Sequence, residues 1–343
     1  MTASTYGSVR ATALTKLKHA LEVTIISVHS LSITLSICLV IYTCTKPVLW
    51  PFLIPYFVYT SYSNAHTSGK LYWRSETLRS SYIWYLFASY FPARLHRSQE
   101  LSLERKYVFG YHPHGIIAHG AFAAFGTDAL GFSRLFPGIT NTLLTLDSNF
   151  RIPFYREYAL WMGLAGVSHK SCVNLLSRGG SDGQGLGRAI TIVVGGARES
   201  LKAYPYSLSL VIKDRKGFIK LAIREGADLV PVIGFGENEL YDQVRTEDHQ
   251  AIHKLQRALK STLGWTVPLF YGQGLWSRHV GLLPYCRRID IVVGYPIEVI
   301  PQQRPSDAEI NRIHDLYMAG LRNLWEEWRG AFPPHGQTEL EFL

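Results

Sequence analysis

The chain has 343 residues, 47% apolar and 18% charged, with a formal net charge of +9. That length and apolar share allow a large core, and the positive charge favours anionic partners such as lipid headgroups or phosphorylated substrates. No zinc-finger spacing, aromatic RNA-binding motif or long basic tract is present, which excludes nucleic acid as the expected partner. The four cysteines form no Cys-x-x-Cys pair and fit reduced thiols in a cytosol-facing protein.

The amino-terminal fifth differs from the rest. Residues 23–42 carry no charge and are rich in Ile, Leu and Val; a helix of that length reaches about 30 Å, the thickness of a hydrocarbon core. A polar break at residues 43–47 precedes a second apolar run, 48–62, interrupted by Pro51 and Pro55, which spans as a bent helix or re-enters. Arg10, Lys16 and Lys18 lie before the first run and Lys70, Arg74 and Arg79 after the second, with only Lys46 between. The positive-inside tendency then puts both flanks in the cytosol. The expected organisation is a cytosolic segment (1–22), a transmembrane hairpin (23–42 and 48–62) and a cytosolic domain (63–343). A signal peptide fits less well, because the apolar core is long and no small-residue cleavage site stands out.

Gly110 to His119 reads Gly-Tyr-His-Pro-His-Gly-Ile-Ile-Ala-His and follows the strand-like run Tyr107-Val108-Phe109. In extended backbone alternate side chains share a face, which lets His112 and His114 point the same way. Pro113 biases His112 toward extended backbone, and Gly115 clears space for a substrate atom. Imidazoles with near-neutral pKa at a strand end suit proton transfer. His112, His114 and His119 match no structural zinc spacing, and no metal is expected.

Beyond residue 100, apolar strand-like runs at 107–111, 189–194, 208–213, 228–235, 267–271 and 289–293 alternate with helical stretches, including 218–224 and 248–263. Strands rich in Val and Ile fit a sheet covered on both faces, so the fold expected is α/β, a mostly parallel sheet flanked by helices. The glycine-rich residues 177–187 contain Gly179-Gly180-Ser181-Asp182-Gly183, a literal match to the hydrolase elbow; following glycines make poor helix, and a mobile loop is the better reading. Gly195-Gly196-Ala197-Arg198-Glu199-Ser200 follows a strand. Glu199 there suits orienting an imidazole, or satisfying amides at a helix start, while the amides of Gly195 and Gly196 suit an oxyanion. Arg215 precedes Lys216, Lys220 and Arg224, which step by four along one helical face and suit substrate phosphates or anionic headgroups, or simply a solvated face. Glu237 and Glu239 after the 228–235 strand either line the site or cap a turn. Finally Ser306-Asp307-Ala308-Glu309 makes a capping box, ahead of an apolar stripe comprising Ile310, Ile313, Leu316, Tyr317, Leu321, Leu324 and Trp328.

In combination these motifs resemble the type-2 diacylglycerol acyltransferases and their monoacylglycerol and wax-ester relatives. The likeness covers residues 90–297 through Tyr90-Phe91-Pro92, His112-Pro113-His114-Gly115, Phe136-Pro137-Gly138, Arg156-Glu157, Gly195-Gly196-Ala197-Arg198-Glu199-Ser200, Arg215-Lys216-Gly217-Phe218 and Phe235-Gly236-Glu237. The resemblance implies a glycerolipid-acyltransferase-like fold in an endoplasmic-reticulum membrane enzyme, also associated with lipid droplets, that moves an acyl group from acyl-CoA to diacylglycerol and makes triacylglycerol. Acyl-CoA is then a substrate, no cofactor is required, and a homo-oligomer is left open. Two departures are a longer glycine-rich loop and Tyr295 where the family commonly has an acid. The His-x4-Asp spacing of the wider glycerolipid acyltransferases is missing, since Ile117 and His119 stand five residues beyond the two histidines. That makes a distant partner such as Glu199 attractive.

The mechanism expected has His114 as base on the acceptor hydroxyl, Glu199 orienting its ring, and His112 with Gly115, Gly195 and Gly196 around the tetrahedral intermediate. Arg215, Lys216, Lys220 and Arg224 take acyl-CoA phosphates or headgroups. Competing readings are a monoacylglycerol or wax-ester acyltransferase, a membrane serine lipase or esterase using Ser181, and a non-enzymatic lipid-droplet protein.

Overall fold

The computed structural model describes residues 3–244, 269–274, 281–332 and 339–343. The chain opens with helices α1 (Ala3–Ser30), α2 (Ser32–Cys44), α3 (Trp50–Tyr62), α4 (Glu76–Arg79) and α5 (Tyr82–Tyr90). Strands β1 (Arg94–Arg97) and β2 (Lys106–His112) lead to α6 (His119–Ala121), α7 (Phe132–Leu135), β3 (Thr140–Thr145), α8 (Tyr155–Trp161), β4 (Ala165–Gly166) and α9 (His169–Ser177). Then come β5 (Arg188–Val193), α10 (Gly196–Ser200), β6 (Leu208–Leu210), α11 (Gly217–Glu225), β7 (Ala227–Phe235), β8 (Asp242–Gln243) and β9 (Phe270–Tyr271). Last are β10 (Asp290–Val293), α12 (Asp307–Trp328) and β11 (Leu340–Phe342). The helix expected over 248–263 and the start of the strand expected at 267 lie outside the described residues.

One sheet runs β1-β10-β7-β2-β5-β3-β4. Strands β7, β2, β5, β3 and β4 are parallel, while β10 is antiparallel to β7 and carries β1 alongside it. This is the mostly parallel, helix-flanked α/β sheet expected. Every residue of β7 is buried, as a strand covered on both faces requires. Alternation along β2 sends Tyr107, Phe109 and Tyr111 into one core with α1 and α5, and Val108 into the other with α9, α11 and α12. The α12 cap forms as expected, Ser306 Oγ accepting from the Glu309 N–H at 3.2 Å. Ile310, Ile313, Leu321 and Leu324 are buried, each contributing about 1.5–3 kcal/mol, whereas Leu316 points outward.

The first of the two expected spans is bent. Residues 23–42 are not one helix: α1 ends at Ser30 and α2 leaves at 69° to it. Among the described residues no single helix is long and apolar enough to cross a membrane, but residues 14–30 and 32–44 pass that test together across the bend. The boundary expected at 22/23 also falls inside α1. Packing explains the bend. Ile26 is fully buried, His29 stacks near Phe87 and Phe122 and bonds Tyr158 at 2.9 Å, and Ser89 holds the largely buried Glu22 at 2.6 Å. These contacts draw α1 onto the body, while α2 has no buried residue. Hydroxyl back-bonds from Thr24 to Ala20 and Ser27 to Val23 favour bending nearby.

Helix α3 has 13 residues, roughly 20 Å at 1.5 Å per residue, which is shorter than a bilayer core. It buries only Leu53. Its anchor is polar: Tyr56 donates to Glu157 Oε2 at 2.5 Å and accepts from the Phe154 N–H at 2.8 Å, while Arg156 binds Ser63 Oγ at 2.6 Å and Glu157 at 2.8 Å. The Arg156-Glu157 pair therefore ties α3 to the domain.

Candidate active site

Strand β2 lies between β5 and β7 and is parallel to both. His112-Pro113-His114-Gly115, Gly195–Ser200 and Gly236-Glu237 consequently emerge side by side at the carboxyl ends of adjacent strands, where open α/β sheets place their ligands. The strand stops at His112, and the His112–Pro113 peptide is cis. The alternation expected to align the two histidines thus ends before His114.

Their environments differ. His112 is wholly buried, its Nε2 3.2 Å from the Tyr317 hydroxyl, which donates to the Gly110 carbonyl at 3.1 Å. With the tyrosine proton committed to that carbonyl, His112 Nε2 must carry the hydrogen, leaving a bare Nδ1 without a partner. Burial pushes its pKa down to about 3. A ring in this state directs its N–H at Tyr317. His114 is partly exposed, and its Nδ1 lies 3.0 Å from the Gly115 carbonyl. A carbonyl only accepts, so Nδ1 carries the hydrogen and Nε2 presents a lone pair. The surrounding protein holds this imidazole below its ordinary pKa, keeping it neutral at physiological pH.

Glu199 meets the turn, but not as expected. Its Oε1 accepts the backbone N–H of His114 at 2.6 Å and its Oε2 the N–H of Val211 at 2.8 Å. The carboxyl orients the chain that carries the imidazole; the Gly115 carbonyl, not Glu199, bonds the ring. Glu199 lies in the short helix α10, whose axis leads its side chain back over the β2 end, and burial raises its pKa to about 7. Gly196 opens α10 with nothing within 4 Å of the position its Cβ would take, so open space adjoins the turn. The Gly195 carbonyl is held by Arg215 Nη2 at 3.2 Å.

On the opposite flank stands Glu237, for which the sequence left open lining the site or capping a turn. It accepts from the Tyr111 hydroxyl at 2.6 Å and the Gly120 N–H at 2.9 Å, and burial raises its pKa to about 7. A Cβ on Gly115, at φ +57°, would stand 2.8 Å from Glu237 Cγ; glycine there lets β7 close against the turn. Tyr317 was likewise missed. A Cβ on Gly110 would fall 1.9 Å from its hydroxyl, so Gly110 is what admits α12 to the site. His119 turns to Tyr241 at 3.0 Å, within the core opposite the one that holds Tyr317. The three imidazoles diverge.

The basic stripe only begins at the site. Arg215 reaches Gly195, and Lys216 Nζ contacts Asn311 at 2.7 Å. Lys220 and Arg224 follow down α11 toward Ala227, which pairs with Lys106 at the start of β2. Arg224 therefore lies at the end of the sheet opposite His114, while Arg215 stands beside Gly195. Ser181 also lies at that opposite end: α9 enters its loop and β5 leaves it, the reverse of a nucleophile elbow. Within that loop Asp182 Oδ1 accepts from the Gln184 and Leu186 N–H groups at 2.8 and 2.9 Å.

An open α/β sheet with a neutral imidazole and two buried carboxyls at its carboxyl edge defines an α/β enzyme site suited to proton transfer. The chain belongs to the diacylglycerol acyltransferase family, whose model, described as "Diacylglycerol acyltransferase", matches residues 40–343. It is 41% identical to Diacylglycerol O-acyltransferase 1 of Schizosaccharomyces pombe over 94% of this chain and 92% of that one. Identity to Diacylglycerol O-acyltransferase 2A of Umbelopsis ramanniana is 44%, over 90% and 87%, and to 2-acylglycerol O-acyltransferase 1 of Bos taurus 39%, over 84% and 85%. The crystal structure of the 1-acyl-sn-glycerophosphate acyltransferase PlsC from Thermotoga maritima aligns with 84% of this chain and 97% of that one, at TM-score 0.36 and 11% identity, too distant to support argument.

Proposed function

We propose that this chain is an acyl-CoA-dependent O-acyltransferase that converts 1,2-diacylglycerol to triacylglycerol, with His114 as general base. The reading rests on family membership and on one geometric observation: His114 is partly exposed, with its Nδ1–H bound by the Gly115 carbonyl and its Nε2 lone pair free. Nε2 takes the proton of the acceptor hydroxyl as its oxygen attacks the thioester carbonyl. The tetrahedral intermediate collapses, the C–S bond breaks, and the departing CoA thiolate recovers the proton from the imidazolium. The new bond is the ester C–O, so atoms and charge balance without a cofactor. Glu199 holds the His114 backbone, Tyr317 with His112 and Glu237 with Tyr111 brace the two sides, and the Gly196 edge faces the developing oxyanion.

The bent pair α1–α2 and the exposed α3 seat the enzyme in the endoplasmic-reticulum membrane with both termini cytosolic. Their uncharged faces, including Leu35, Ile41, Phe52 and Ile54, stand exposed to receive acyl chains. Membranes bearing the full-length protein, supplied with labelled oleoyl-CoA and diacylglycerol, 2-monoacylglycerol, fatty alcohol or sterol, test the function. Triacylglycerol is the expected main product. His114→Ala should fold and lose about 10²–10⁴-fold in rate; a variant retaining most of its synthesis would remove His114 from the chemistry.

A further inference from the structure

A cavity of about 450 Å³ sits between the end of α3, residues 63–74 and α9, and shares no lining residue with the His-Pro-His turn. Lys70, Arg74, Lys170, Arg178 and His66 line it, and no carboxylate does. Arg74 is engaged by Glu76 and the Asn141 carbonyl. Lys70, Lys170 and Arg178 are not neutralised: Lys70 lies over the Tyr72 ring at 5.4 Å, and Arg178 reaches the Ser68 carbonyl at 3.3 Å. Among the described residues no ion pair includes Lys70, Lys170 or Arg178. His66 turns its Nε2 to Asp147 Oδ1 at 3.8 Å, and among the described residues its buried Nδ1 has no hydrogen-bond partner. Uncompensated like charges around one hollow repel unless an anion enters.

The setting indicates which anion. Tyr62, Tyr72, Trp73 and Trp161 are exposed large aromatics on or beside the lining segments, and α3 carries exposed Phe52, Ile54 and Val58. Aromatic rings next to a cationic cluster, with apolar surface beyond, are the arrangement of a membrane–water interface. We propose that this cavity binds the phosphate-bearing headgroup of an anionic phospholipid, with Lys70, Lys170 and Arg178 as counter-charges and α3 against its acyl chains. The site uses the membrane seating given above but not the acyl-transfer chemistry, so the two fail separately.

Full-length protein in neutral-detergent micelles is titrated with phosphatidylserine and, separately, phosphatidylcholine, with bound lipid read by native mass spectrometry. Phosphatidylserine should bind at least tenfold more tightly. Each cation at a lipid surface contributes about fivefold (~1 kcal/mol), so Lys70→Gln/Lys170→Gln/Arg178→Gln should weaken phosphatidylserine about 100-fold and leave phosphatidylcholine unchanged. Lys170→Gln alone, at an exposed position, should weaken it about fivefold with the fold intact. Equal binding of the two lipids, or undiminished phosphatidylserine affinity in the variants, would overturn the site. So would displacement of the lipid by free coenzyme A together with a raised KM for acyl-CoA in the variants, which would reassign the cavity to the phosphates of the acyl donor.

Discussion

Replacing Glu199 by Gln keeps the shape and changes two things with opposite effects on stability. Both carboxyl oxygens accept buried backbone N–H groups, from His114 and Val211. An amide offers one oxygen, so its NH2 faces the other N–H and leaves a buried donor unsatisfied, costing about 1–3 kcal/mol. Against this, burial raises the Glu199 pKa from 4.5 to about 7. Folding then favours the protonated form: that contribution is complete below about 4.5 and is lost as pH rises through about 7. Once the group ionises in place the loss amounts to about 3 kcal/mol, a loss Gln never suffers. Glu199→Gln should therefore be less stable than the parent by about 1–3 kcal/mol at pH 5, with the gap closing or inverting by pH 9. Thermal unfolding of both proteins in one detergent at pH 5, 7 and 9 measures it. Glu237 titrates in the same range but is present in both proteins and cancels in the difference. A gap that does not move with pH would refute the raised pKa and with it the view of Glu199 as a buried, backbone-holding acid.

Tyr317→Phe orphans the buried Nε2–H of His112 and should cost about 1–3 kcal/mol, read by thermal unfolding, with a further fall in acyl transfer per folded molecule. Gly110→Ala drives a methyl into the Tyr317 hydroxyl and should cost about 1–3 kcal/mol; combined with Tyr317→Phe the losses should be less than additive in a double-mutant cycle. Because the His114 pKa is lowered, protonation of the base should cut kcat/KM only below about pH 6.5, the ordinary imidazole value; a step near pH 7 should instead follow Glu199 and vanish in Glu199→Gln. Tyr56→Phe releases α3 from Glu157 and Phe154 and should speed proteolysis within residues 50–62 while sparing the sheet.

The most legible elements announced themselves by pattern. β5, β7 and β10 are dense in Val and Ile, β2 opens on the apolar run Tyr107-Val108-Phe109, and the Ser306 cap preceding an apolar stripe marked α12. Strand β3 escaped notice because Asn141 and Thr142 interrupt its apolar run. Inside the sheet Asn141 and Thr191 exchange hydrogen bonds at 2.8 and 3.0 Å, a mutual satisfaction that neither residue reveals alone. The turn with His114 and the proximity of Glu199 were readable from strand ends. What Glu199 holds was not, since a backbone N–H carries no sequence signature. Tyr317 looked like one more member of a packing stripe, and its hydroxyl acquires meaning only when β2 supplies a glycine opposite it. The apolar amino-terminal runs were legible in composition, but the bend at Leu31 follows from α1 docking on α5, a tertiary contact that hydropathy does not encode.

Tyr317 stands 205 residues beyond His112. A chain emerging from the ribosome thus exposes its histidine turn 205 residues ahead of the hydroxyl that fastens it, and Gly110 keeps the place that Tyr317 fills. A product cut short ahead of α12 would carry every motif of the turn and still lack the hydroxyl that meets His112.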